Sequence, residues 1–163
     1  MKCRLIQILL VVSIWVPFFS FATQSDLNND ALEKQQQSLI QYFFAAARTG
    51  EKEVINTFLD AGFPINQINP QSYTALMVAA YHGQSEIVET LLRYGADTCI
   101  QDKRGNTAIM GALIKGEFSI ATTLYDYDCD PDIRNKAGMT LKEFAEFWGQ
   151  KDKLTKQKGW HAK

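Results

Sequence analysis

At 163 residues the chain is long enough for one domain and short for two. Hydrophobic residues make up 46% and charged residues 21%, an ordinary globular balance. A formal net charge of -1 leaves no basic excess to point to nucleic acid.

Residues 1–22 do not read as part of a fold. Lys2 and Arg4 precede the apolar run LIQILLVVSIWVPFFSFA, which ends in Ser20-Phe21-Ala22. A positive start, an apolar core and a small-x-small end are the marks of a secretory signal peptide cut before Thr23. The core is on the short side for a span of roughly 20 residues, so no stable membrane insertion is expected after cleavage. A lipoprotein is not indicated, because Cys3 precedes the apolar core. The expected location is secreted, with the periplasm first. Loss of Lys2 and Arg4 leaves 15 basic against 18 acidic residues, a net charge of -3.

Residues 23–35, TQSDLNNDALEKQ, form a mobile or helical lead-in. From Gln36 a period takes over. Gly50, Gly83, Gly116 and Gly149 are spaced by 33 residues, and so are Thr74, Thr107 and Thr140. Gly62 and Gly95 keep the same step, with Asp128 in the third slot. Fixed self-similarity of this length marks a helical repeat array.

The clearest unit is TALMVAAYHGQSEIVETLLRYGAD, residues 74–97. Thr74 can cap a short helix over Ala75 to Tyr81, with Leu76, Ala79 and Ala80 inward. Gly83 permits a tight reversal that a Cβ would resist. Ile87, Val88, Leu91 and Leu92 then make the apolar stripe of a second helix over Ser85 to Tyr94, which Gly95 ends. The segment Ala96 to Gly105 leads to the next unit as an extended finger. No unit buries its stripe alone; stacking does it.

This stretch resembles an ankyrin repeat, whose usual pattern runs TPLH, AA, Gly, a VV-type pair, LL and GAD. The resemblance covers residues 36–150 and implies an all-α solenoid of about four helix-turn-helix repeats with β-hairpin-like fingers. The first repeat, Gln36 to Ile68, lacks the opening threonine and offers Phe43, Ala46, Ala47, Val54, Ile55, Phe58 and Leu59 as core. The third, Asp102 to Arg134, offers Ile109, Ala112, Leu113, Phe118, Ile120, Ala121 and Leu124. Gly111 stands there in place of Val78, and DYDCDPD replaces the usual exit, so looser packing is expected. The fourth opens as NKAGMTLKEFAEFWG, with Lys142 at a leucine position, as a polar cap. Residues 151–163, KDKLTKQKGWHAK, form a basic, solvated tail.

No catalytic set stands out. His82 and His161 have no second ligand at metal spacing, and His82 reads as a surface residue before the repeat glycine. The acidic run from Asp126 to Asp132 lacks the glycine and terminal glutamate of a calcium loop. No phosphate loop or Ser-His-Asp trio is present, and no cofactor is implied. The resemblance agrees, since ankyrin arrays are seldom enzymes.

Cys99 and Cys129 are the candidate disulfide pair in an oxidising space. They lie in the same exit region of successive repeats, three residues out of register. Equivalent residues of stacked repeats stand about 10 Å apart, beyond the roughly 7 Å limit on Cα separation. The offset either closes that gap or widens it.

The resemblance places partner contacts on the fingers and on the concave face of the first helices. Those positions here are Tyr73, Lys103, Arg104, Asn106 and Met139 on fingers, and Tyr81, His82, Ile114, Lys115 and Trp148 on helices. Tyr73, Tyr81 and Trp148 are the strongest, as aromatic anchors. The implied partner is a protein in the same compartment, encoded nearby. Small bacterial proteins of this look include helpers of catalase-linked peroxide defence and immunity proteins against periplasmic toxins. A host-directed effector and a ligand-binding protein follow behind.

Overall fold

The computed structural model describes residues 24–127, 129–130 and 132–150. The signal-peptide segment 1–22 and the basic tail 151–163 lie outside the described residues. Contacts divide the chain into two units, Met1–Lys34 and Gln35–Lys163. Of the first unit, the described residues form the opening turns of helix α1, Gln24–Thr49. The lead-in is therefore helical, and α1 carries on through Gln36 without a break.

The second unit holds the rest of α1 and six further helices: α2 (Lys52–Asp60), α3 (Ala75–Tyr81), α4 (Ser85–Arg93), α5 (Ala108–Lys115), α6 (Phe118–Tyr125) and α7 (Leu141–Phe147). There is no strand among the described residues. Within this unit α3 packs against α4 and α5, α5 against α6 and α7, and α4 between α2 and α6. First helices thus form one layer and second helices the other, the helix-pair stack that the sequence implies. No described helix is long and apolar enough to cross a membrane.

The helix starts follow the threonine period. The Thr74 hydroxyl accepts the Met77 N–H at 3.2 Å. The Thr140 hydroxyl accepts the Glu143 N–H at 3.3 Å, and the Glu143 carboxylate accepts the Thr140 N–H at 2.7 Å in return. That reciprocal pair satisfies two otherwise orphan donors. Thr107 keeps the extended backbone of a cap but makes no capping hydrogen bond.

The core sits between the layers. Ile87, Val88, Leu91 and Leu92 are all buried on α4. Full burial of one such side chain stabilises by about 1.5–3 kcal/mol. The two alanine pairs, Ala46-Ala47 and Ala79-Ala80, are essentially inaccessible, and their small volume lets successive helices approach. Phe44, Met77 and Met110 are buried as well, beyond the expected set. Val54, Phe58 and Phe118, expected inside, are half-buried and pack against the core. In the first repeat, Phe43, Phe58 and Phe63 lie with ring centroids 4.6–5.4 Å apart and seal that end of the core. At the other end α7 buries only Phe144 and Ala145, while Lys142 is exposed.

The fingers are turns held by one repeated device. Asn69, Asp102 and Asn135 stand 33 residues apart. Each side-chain oxygen accepts two backbone N–H groups: Gln71 and Tyr73 at 3.0 Å, Arg104 and Asn106 at 2.8 Å, Ala137 and Met139 at 3.0 Å. Each finger is closed by one pair of backbone bonds across the turn. Successive fingers are tied together. Lys136 N–H donates to the Arg104 carbonyl at 2.9 Å, and the Gln101 amide donates to the Arg134 carbonyl at 2.9 Å. Gly105 permits this approach, because a Cβ there would stand 2.7 Å from the Lys136 nitrogen.

Cys99 and Cys129 are joined by a disulfide with a Cα–Cα distance of 5.4 Å. The three-residue offset thus closes the gap between repeats. The bridge ties the exit of the second repeat to the exit of the third.

Candidate partner-binding groove

A groove of about 270 Å³ opens between the first helices α3 and α5, beneath the fingers. Its floor is apolar: Met77 and Val78 from α3, Gly111 and Ile114 from α5. Tyr73 and Tyr81 form walls. Polar groups arrive from the finger, where Asp102, Arg104, Asn106 and Thr107 line the rim, and from His82 at the helix end. A concave, mostly apolar depression with a few convergent polar groups is the usual form of a binding site.

Gly111 makes the depression. It sits one repeat after Val78, in the middle of α5. Glycine inside a helix costs roughly 0.5–1 kcal/mol relative to alanine. The fold gives no return for that cost: a Cβ at Gly111 would meet nothing within 4 Å. The looser packing expected here takes the form of open space on the groove floor.

The rim carries positive charge. Arg104 lines the groove and is exposed. The Lys115 ammonium stands 4.8 Å from the centroid of the Tyr81 ring, a cation–π distance. Lys103, next to Arg104, is also exposed and donates to the Pro70 carbonyl at 2.7 Å, fastening one fingertip to the previous one. One carboxylate oxygen of Asp102, also on the rim, accepts the finger's own N–H groups from Arg104 and Asn106.

Among the ten expected contact positions, Tyr73, Tyr81, His82, Arg104, Asn106 and Ile114 meet around this one groove. Tyr81 is 40% exposed and stacks edge-on with His82 at 5.4 Å. Asn106 lines the groove but is engaged within the protein. It is buried, and its side-chain oxygen accepts from the Asn135 amide at 3.1 Å. Its work is to join two fingers. Tyr73, Ile114 and Met139 are half-buried and packed against the core. Trp148 belongs elsewhere, at the end of α7 beside Phe144 and Phe147. Met77, Val78, Asp102, Thr107 and Gly111 complete the lining and were not among the expected contacts. Gly111 did leave a trace in the sequence, as the break in the repeat pattern.

No group of three or more His, Cys, Asp or Glu among the described residues is placed to hold a metal ion. Asp126, Asp130 and Asp132 of the acidic run are exposed, and Cys129 within it is committed to the disulfide. Asp128 and Pro131 lie outside the described residues.

Comparison with family models matches residues 43–135 to ankyrin repeats, in three copies. The fourth unit, which opens at Asn135, lies beyond that match except for its first residue. No curated protein matches the chain.

Proposed function

The chain belongs to the ankyrin-repeat family, and we propose that it acts as a binding scaffold whose partner protein sits in the groove between α3 and α5. One observation carries this reading: Gly111 leaves the groove floor open at a cost to its own helix. The surrounding Tyr73, Tyr81 and Arg104 are of the residue types that dominate interface energetics. Fingers cross-linked by hydrogen bonds present them on a stiff frame, which lowers the ordering cost of association.

The proposed place of action is outside the cytoplasm. The signal-like segment 1–22 supports it, and so does a disulfide of the kind that persists in oxidising compartments. The finer reading is a periplasmic helper of catalase-linked peroxide defence, supported by the chain's small size, its ankyrin repeats and the signal-like segment 1–22. An immunity protein against a periplasmic toxin is the alternative, and the partner's identity separates the two.

The test is affinity capture with residues 23–163 from extract of the producing cell, with a Tyr73→Ala/Tyr81→Ala variant as control. One protein retained by the parent and lost from the control supports the scaffold reading, and its identity by mass spectrometry decides the process. Equal retention on both would sink the groove as the contact face.

A further inference from the structure

The formal net charge of -1 conceals a local division between the second helices and the groove, although α7 in the first layer carries Glu143 and Glu146. The second helices and their flanks carry Glu53, Asp60, Glu86, Glu89, Asp126 and Asp130, against Lys52 and Arg93. The groove side carries Lys103, Arg104 and Lys115, and its one lining carboxylate, Asp102, is engaged by backbone N–H groups. Three cations beside the one carboxylate leave a net positive edge around an apolar slot.

We infer that this slot takes one large apolar side chain, aromatic or branched aliphatic, from an acidic segment of the partner. The inference rests on the groove being the contact face. The cavity of about 270 Å³ lies just below the range of small-molecule pockets, roughly 300–1,000 Å³. It suits one anchoring residue better than a whole cofactor. The anchor enters over Gly111, where neither a side chain nor a neighbour obstructs it. Carboxylates on either side of the anchor then meet Arg104, whose guanidinium accommodates them bidentately, and Lys115 above Tyr81. A basic segment is repelled by the same rim, so the charge sets partner choice as well as attraction. Gly111 is the residue that fixes anchor size.

A phage-displayed library of random peptides, selected against the purified protein of residues 23–163, tests this directly. Selected peptides are expected to combine an aromatic or large aliphatic residue with neighbouring Asp or Glu. Their dissociation constants should rise by about tenfold or more on Gly111→Leu, and again on Arg104→Glu. Added salt should weaken them on the parent. Gly111→Ala serves as the folding control: it should melt at or above the parent temperature, yet bind more weakly. Enrichment of basic peptides, of acidic peptides lacking an apolar residue, or of none at all overturns the inference. So does equal binding by parent and Gly111→Leu. A captured partner protein that Gly111→Leu still retains, but Tyr73→Ala/Tyr81→Ala loses, overturns the anchor while leaving the scaffold reading standing. Retention by both variants removes both.

Discussion

Ser72 is the residue that breaks its own repeat rule. It is the one non-glycine with positive φ among the described residues, at 66°. Its equivalents one and two repeats on are Gly105 and Gly138, at 76° and 80°. A left-handed backbone costs an ordinary L-residue about 1–2 kcal/mol. Part of that is returned by the entropy that glycine loses on folding. Ser72→Gly should therefore raise stability by roughly 0.5–1 kcal/mol, read as a higher urea midpoint with unchanged slope. A lower midpoint would mean that the serine hydroxyl stabilises the finger in a way the backbone does not reveal. Glu143 gives a pH prediction. The Thr140 backbone N–H, then the Thr140 hydroxyl and the Arg134 guanidinium, hold its carboxyl below the ordinary glutamate value. A depressed folded-state pKa means that the unfolded chain binds the proton more readily. Its stabilisation is present above the ordinary value of about 4.3 and fades as pH falls through the lower folded one. Glu143→Gln should flatten the acid limb of the stability curve below about pH 4.3. An unchanged acid limb would show that the cap does not hold in solution.

At the scale of the element, the helices were legible because two signals agreed. The threonine period marks the starts at residues 74, 107 and 140, and the apolar stripe of α4 runs at helical spacing. Leu91 is fully buried in that stripe. Leu91→Ala should cost about 2–5 kcal/mol of unfolding free energy, and comparable stability would mean that the stripe faces elsewhere. The fingers were less legible. Their organising residues, Asn69, Asp102 and Asn135, act through side-chain bonds to their own backbone, and polar residues in a loop leave no hydrophobic pattern. The bond that buries Asn106 was hidden for the same reason: its partner, Asn135, is 29 residues away. The disulfide was undecided from spacing, because only the actual stack shows which way a three-residue offset points. It closes a separation of 30 residues. Chain-entropy arguments put its contribution at about 3–4 kcal/mol. A Cys99→Ser/Cys129→Ser variant should lose stability of that order under oxidising conditions and match the parent once both are reduced. Equal stability when oxidised would contradict the bridge.

For the whole molecule, the net charge of -1 was a poor guide. It averages an acidic layer of second helices against a cationic groove, and the two differ in what they attract. The groove itself was half visible in sequence. Six of its lining residues were expected contacts, but its depth comes from a missing side chain at Gly111, and an absence becomes a cavity only when the neighbours are in place. The measurement that bears most directly on the account is site-specific photo-cross-linking in the cells that make the protein. One version carries benzoylphenylalanine at Tyr81, in the groove wall. The other carries it at Glu89, exposed on α4 in the opposite layer. The account predicts a discrete adduct to one partner from position 81 and none from 89. An adduct from 89 alone, or from neither position, would contradict it.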